Sequence, residues 1–120
     1  MATIKSYSDL EQSRKLAEIL PLETADMYIV FENNAETRVY YGKMPTAYFV
    51  CKPCWSLAAL LGVLPDELED NHFLTLEKEG KEYCCCYEDI NGNSFRHTFT
   101  DNPVDACYEM ILKLNELNLL

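Results

Sequence analysis

The last stretch of the chain, residues 101–120, carries the clearest helix signal in the sequence and constrains the fold most. Asp101 or Asn102 can accept hydrogen bonds from the free N–H groups of a first helical turn, and Pro103 suits the first helical position because its missing N–H needs no partner there. Apolar residues then recur at intervals of three and four on one face: Val104, Cys107, Met110, Ile111, Leu114 and Leu117. Because a short helix is barely stable in water alone, another element must cover this stripe.

Two further helices are predicted earlier in the chain. Ser8 and Glu11 match a capping box, in which each side chain satisfies a free N–H at a helix start, so we expect a helix over residues 9–20. Pro53 opens an apolar segment, residues 54–64, which is hydrophobic on nearly every side and belongs in an interior. At about ten residues it is too short to span a bilayer.

The strand signals fall into two groups. β-branched and aromatic runs with an Asn-Asn turn between them predict a hairpin over residues 27–31 and 37–41, with a candidate third strand at 47–51. Turns at Glu79-Gly80 and Asn91-Gly92 separate three further runs, at residues 72–76, 82–87 and 94–99. We therefore predict one α+β domain spanning residues 1–120. Its antiparallel sheet consists of the N-terminal hairpin and the C-terminal three-strand meander, and it packs against about three helices. Whether the two strand groups share one sheet stays open.

Charge is distributed unevenly along the chain, whose net charge is −10. Residues 1–60 carry 7 acidic against 6 basic residues, whereas residues 61–120 carry 13 against 4. Such a surface repels phosphate backbones, so we expect no nucleic-acid binding. The helix-strand-strand-strand-helix order of the second half resembles double-stranded RNA-binding domains, but Pro103, Val104 and Asp105 stand where that family places lysines.

The six cysteines suggest a second chemistry. Cys51 and Cys54 form a C-x-x-C pair that can share a zinc ion or form a redox couple, and Cys84 and Cys86 could complete a four-thiol site if their strand lay beside the pair. The competing interpretation is that these are small buried side chains or free thiols. A nucleophilic Cys84 or Cys86 facing His97 is also geometrically possible. The consecutive cysteines 84–86 argue against a disulfide framework.

The sequence predicts a cytoplasmic protein without a membrane span. The first residues lack the apolar core and cleavage site of a signal peptide, and no run of about 18 apolar residues occurs.

Four stretches, residues 7–23, 54–61, 83–89 and 101–106 onward, resemble a family of short hypothetical proteins encoded by gut bacteria and by their phages and mobile elements. That family has no established activity, so the resemblance implies a context and no catalytic residue.

We expect a small, acidic, non-enzymatic interaction protein of unknown role, without a cofactor, present as a monomer or homodimer. The densest charge cluster, Asp66, Glu67, Glu69 and Asp70, is the predicted contact for a basic protein partner, which the chain could engage by imitating nucleic acid. A solvated acidic face without a partner is the competing interpretation. The alternative function is a zinc- or thiol-dependent protein that uses Cys51 and Cys54.

Overall fold

The structure is a computed structural model that describes residues 5–32, 35–44, 50–69 and 71–120. These described residues form three α-helices, a short 3-10 helix and seven strands, in the following order: α1 (Leu10–Ile19), the 3-10 helix (Leu22–Thr24), β1 (Met27–Glu32), β2 (Ala35–Tyr41), β3 (Val50–Cys54), α2 (Leu57–Val63), β4 (Glu67–Leu68), β5 (His72–Glu79), β6 (Glu82–Glu88), β7 (Ser94–Thr100) and α3 (Pro103–Glu116). The α+β class, the antiparallel pairing and the helix count are confirmed.

The chain divides into two compact units. The N-terminal unit comprises residues 6–59, and the C-terminal unit comprises Lys5 and residues 60–120. The hairpin and the meander lie in separate sheets, one of order β2-β1-β3 and the other of order β4-β5-β6-β7. The prediction of a single domain over residues 1–120 stays a prediction. Within the described ranges, no helix has both the length and the apolar character that crossing a membrane requires.

The N-cap of the first helix lies one residue after the predicted one. Asp9 is the N-cap, and its carboxylate accepts from the Gln12 N–H at 2.8 Å while the Gln12 side chain accepts from the Asp9 N–H at 3.1 Å. The predicted cap, Ser8, is buried instead. Its hydroxyl accepts from the Trp55 N–H at 3.0 Å and lies 2.8 Å from the Ser13 hydroxyl. The predicted Ser8–Glu11 capping box was therefore wrong, because a long-range contact uses the serine.

The boundary between β3 and α2 also differs from the prediction. Cys54 is the last residue of β3 and pairs with Met27 of β1, so it does not begin a helix. Pro53 lies on a strand at a sheet edge, where only every second N–H takes part in the ladder and proline is tolerated. The Ser56 hydroxyl accepts from the Ala59 N–H at 3.1 Å and so caps α2, which begins at Leu57. Of the predicted strand over 47–51, residues 47–49 lie outside the described part of the chain, as does the predicted hairpin turn at 33–34.

The C-terminal unit follows the predicted meander closely. The three long strands appear as expected, and a two-residue strand, β4, precedes them. The predicted cap of α3 is confirmed, because the Asn102 side chain accepts from the Asp105 N–H at 3.0 Å and Pro103 occupies the first turn. The apolar stripe is buried as far as Leu114, but Leu117 is 44% exposed because the helix ends at Glu116.

Helix α3 packs on one face of the four-stranded sheet. The Thr98 hydroxyl of β7 donates to the Ala106 carbonyl at 2.7 Å. The thiols of Cys85 on β6 and Cys107 on α3 form a hydrogen bond that, together with burial, raises the pKa of Cys85. Both thiols are fully buried. Thr98 and Cys85, which are direct cross-strand partners, thus mark the face that the helix covers.

Candidate functional site

The sheet face opposite α3 is fixed by strand alternation. Since Cys85 and Thr98 point toward the helix, their sequence neighbours on each strand point away from it. The register places Cys86 opposite His97 and Cys84 opposite Phe99 on this second face. The same register continues through β5 to β4, where Glu88, Phe73 and Glu67 form one cross-strand row.

We call this surface the glutamate face, because acidic side chains dominate it. Its five carboxylates come from three strands, β4, β5 and β6: Glu67, Glu77, Glu79, Glu82 and Glu88. Two aromatic residues of the face, Phe73 and Phe99, are 47% and 49% exposed. None of the side chains described on this face is a lysine or arginine; Lys78 pairs with Tyr83 on the other face. The face therefore combines negative charge with exposed aromatic surface.

The carboxylates of this face are not neutralised within the described part of the chain. The ion pairs Lys5–Asp105, at 2.7 Å, and Lys15–Glu18, at 3.7 Å, lie elsewhere. Glu79 and Glu82 are direct cross-strand partners. Like charges opposite each other destabilise a sheet, so this arrangement costs stability in the free protein.

The predicted acidic cluster lies at one edge of the same sheet. Asp66, Glu67 and Glu69 are exposed, and Asp70 lies outside the described residues. The Asp66 carbonyl accepts from the Leu74 N–H at 3.0 Å, which fixes the strand entry, and Leu68 points inward. We call Asp66, Glu67 and Glu69 the acidic edge. Because Glu67 belongs to both surfaces, the acidic edge continues into the glutamate face.

Cys86 and His97 are direct cross-strand partners, which is the arrangement that a nucleophilic Cys86 would need. The surroundings of the Cys86 thiol, however, favour its protonated form. The Cys86 sulfur lies 2.9 Å from the Thr75 hydroxyl and donates to a Glu88 carboxylate oxygen at 3.2 Å. Burial, supported by Glu88, raises the pKa of Cys86 to about 12, and burial also raises the pKa of Cys84. The thiolate is the nucleophilic form, so this environment does not activate either cysteine.

Cys51 and Cys54 do not converge on one point. They are three residues apart on β3, so their side chains leave opposite faces of the strand. Cys54 is fully buried beside Met27 and Ile29, and burial, followed by the charges of Asp26 and Glu36, raises its pKa to about 12. Across the described ranges, no group of three or more His, Cys, Asp or Glu side chains is arranged to hold a metal ion.

Sequence reasoning missed four members of the glutamate face: Glu77, Glu79, Glu82 and Glu88. The available signal was the period-two spacing of Glu77 and Glu79, which places them on one side of β5, but the strand was predicted to end at residue 76, before either glutamate. That spacing does not reveal which side α3 covers, nor which residues of β6 stand opposite.

The chain matches no protein-family model, and neither the curated proteins nor the solved structures contain a significant match to it.

Proposed function

We propose that this protein is a non-enzymatic interaction protein that binds a basic protein partner through the glutamate face and the acidic edge. The observation that carries the proposal is the collection of five carboxylates on a sheet face whose described side chains include no lysine or arginine. In the free protein these charges repel each other, and a cationic partner converts that repulsion into attraction. Binding of a cationic partner therefore offsets the repulsion between these glutamates that destabilises the free protein.

Phe73 and Phe99 support the same proposal. Both side chains are about half exposed on the acidic face. Aromatic rings at interfaces supply apolar contact area, and they attract lysine and arginine through cation–π interactions. A basic partner can use the rings and the carboxylates together.

The class of partner that fits best is a nucleic-acid-binding protein. Residues two apart on a strand, such as Glu77 and Glu79, have Cα atoms about 6.8 Å apart and side chains on one face, so their carboxylates follow one another regularly along the strand. A surface of this kind competes with nucleic acid for a basic groove. The setting would be the cytoplasm of a bacterium that carries a phage or mobile element, in line with the resemblance given above.

A zinc- or thiol-dependent function at Cys51 and Cys54 is the second proposal, and the described residues offer no observation that favours it. The two side chains leave opposite faces of β3, so a shared ion needs a local rearrangement.

The test is a pull-down of tagged protein from bacterial lysate, with washes at low and then high salt and identification by mass spectrometry. A matched sample carries Asp66→Lys, Glu67→Lys and Glu69→Lys. We expect a nucleic-acid-binding protein that wild type retains at low salt, that high salt releases, and that the variant does not capture, because screening weakens exposed charge pairs. Equal capture by the variant, or no basic protein at low salt, contradicts the proposal.

A further inference from the structure

The last strand of the second sheet, β7, has an unpaired edge in the described part of the chain. The His97 carbonyl accepts a hydrogen bond from the Lys113 Nζ at 3.1 Å, so this carbonyl points away from β6. In an antiparallel strand the N–H and C=O of one residue point to the same side, and alternate residues repeat that direction. The backbone groups of Phe99 therefore point outward as well. An exposed edge of this kind is a template for another strand.

A groove runs along this edge on the side of α3. It encloses about 490 Å³ and is lined by Thr98 and Thr100 of β7 and by Glu109, Leu112, Lys113 and Glu116 of α3. Both glutamates are exposed, whereas Leu112 is half-buried. The groove lining thus includes one partly buried leucine and two carboxylates, and the single ammonium group in it is bonded to the His97 carbonyl.

We propose that the basic partner contributes an extended segment that pairs with β7 as a fifth strand. This inference rests on the proposed function and names the recognised element. The segment's backbone bonds to the outward groups of His97 and Phe99, which is the mode known as β-strand addition. Every second side chain of the segment enters the groove, and the charge there selects lysine or arginine to meet Glu109 and Glu116.

The remaining side chains of the segment lie on the other side of the extended sheet. There they continue the glutamate face, next to His97 and Phe99, whose rings are 5.3 Å apart in an edge-on arrangement. Neighbouring strands are about 4.8 Å apart, so a fifth strand brings its side chains within reach of the Phe99 ring. One extended segment can therefore contact the groove and the glutamate face at once.

The incoming segment must displace the side chain of Lys113 from the edge of β7. Its ammonium group occupies the outward His97 carbonyl, and a charged side chain at an edge discourages pairing between copies. An incoming backbone N–H replaces this bond, and Lys113 then swings toward solvent. Lys113 therefore competes with an incoming strand for the edge of β7. A segment that carries lysine or arginine can displace it, because Glu109 and Glu116 attract those cations.

The probe is a fluorescent ten-residue peptide of alternating lysine and threonine, titrated at low salt with anisotropy as the readout. His97→Pro removes the outward N–H and places a ring on the edge, whereas the matched control His97→Ala removes only the side chain. We expect at least tenfold weaker binding for His97→Pro and a change under threefold for His97→Ala. Amide exchange of wild-type protein provides a readout that needs no variant, with slower exchange at His97 and Phe99 when the peptide is bound.

Three results overturn the inference. The first is no peptide binding, or equal affinities of the two variants together with unchanged exchange at His97 and Phe99. The second is loss of peptide binding only on charge reversal of the acidic edge, which leaves the proposed function standing without the fifth strand. The third is slower amide exchange at His97 and Phe99 in concentrated protein without peptide, together with a doubled molecular mass in solution. That result would mean that a second copy of the chain pairs with β7.

Discussion

Lys113 of α3 donates a hydrogen bond from its Nζ to the main-chain carbonyl of His97 on β7, 3.1 Å away. A helix side chain thereby satisfies a carbonyl that faces outward from the edge of the sheet. The same lysine lies in a groove with Glu109 and Glu116, so it also moderates the local negative charge. Lys113 therefore occupies the exposed edge of β7 and also lies in the acidic groove beside it.

Replacing Lys113 by methionine should strengthen binding of the lysine-threonine peptide about three- to tenfold. The variant keeps the aliphatic stem, frees the His97 carbonyl and removes a cation that repels the peptide. Peptide anisotropy at low salt measures the effect. Lys15→Met, which removes an exposed charge from α1, is the matched control and should change affinity less than twofold. Equal gains for both variants would assign the effect to net charge alone.

Glu79→Lys should stabilise the free protein while weakening partner binding. Glu79 stands directly opposite Glu82, so the substitution replaces a repulsive cross-strand pair with an attractive one. Cross-strand pairs contribute roughly 0.2–1 kcal/mol, and we expect a rise in unfolding free energy within that range. Urea denaturation gives the stability, and capture of the basic partner gives the binding. A variant that is less stable, or that binds the partner more tightly, would contradict the role assigned to the glutamate face.

Asn102→Ala should cost about 1 kcal/mol of unfolding free energy, because the side chain caps α3 by accepting from the Asp105 N–H at 3.0 Å. Urea denaturation followed by circular dichroism measures the loss. Asn115→Ala, at an exposed position of the same helix, serves as control and should stay within about 0.5 kcal/mol of wild type. Equal losses for the two variants would show that the cap is not the cause.

The protein should lose stability as the pH rises above about 9. The pKa of Cys54 and that of Cys86 are both raised to about 12 from an ordinary value of 9.0, chiefly by burial. Between pH 9 and pH 12 the unfolded chain releases thiol protons that the folded chain retains. The free energy of unfolding is therefore highest below pH 9 and falls progressively as the pH rises to about 12. Urea denaturation at pH 7.5 and pH 10.5 tests this. Cys86→Ala should show a smaller loss than wild type, and an identical loss would exclude a contribution from this thiol.

The sequence predicted the elements whose signals are local. The Asn102 cap acts within one helical turn, and the Asn91-Gly92 turn, where Gly92 has a φ of +81°, joins neighbouring strands. Ser8 shows why other predictions failed. Its hydroxyl bonds to the Trp55 N–H, 47 positions along the chain, and no pattern near Ser8 indicates that contact. Asp9, the next residue, is the N-cap instead.

The candidate site was predicted only in part for the same reason. The acidic edge was visible as consecutive charges, and Glu67 among them proved to belong to the larger surface. The glutamate face depends on the register that places Glu88, Phe73 and Glu67 in one row, and on which face α3 covers. Both are long-range properties, so alternation alone could not identify the residues that face solvent.

The most direct test of the proposed function compares two triple charge reversals in binding to the captured basic protein. One variant changes Glu67, Glu77 and Glu79 of the glutamate face to lysine, and the other changes Glu18, Glu23 and Glu36 of the N-terminal unit, all of which are exposed. The net charge changes equally in both. We predict at least a hundredfold loss of affinity for the first variant and less than fivefold for the second. Equal losses would show that the partner responds to total charge and that the glutamate face is not its binding site.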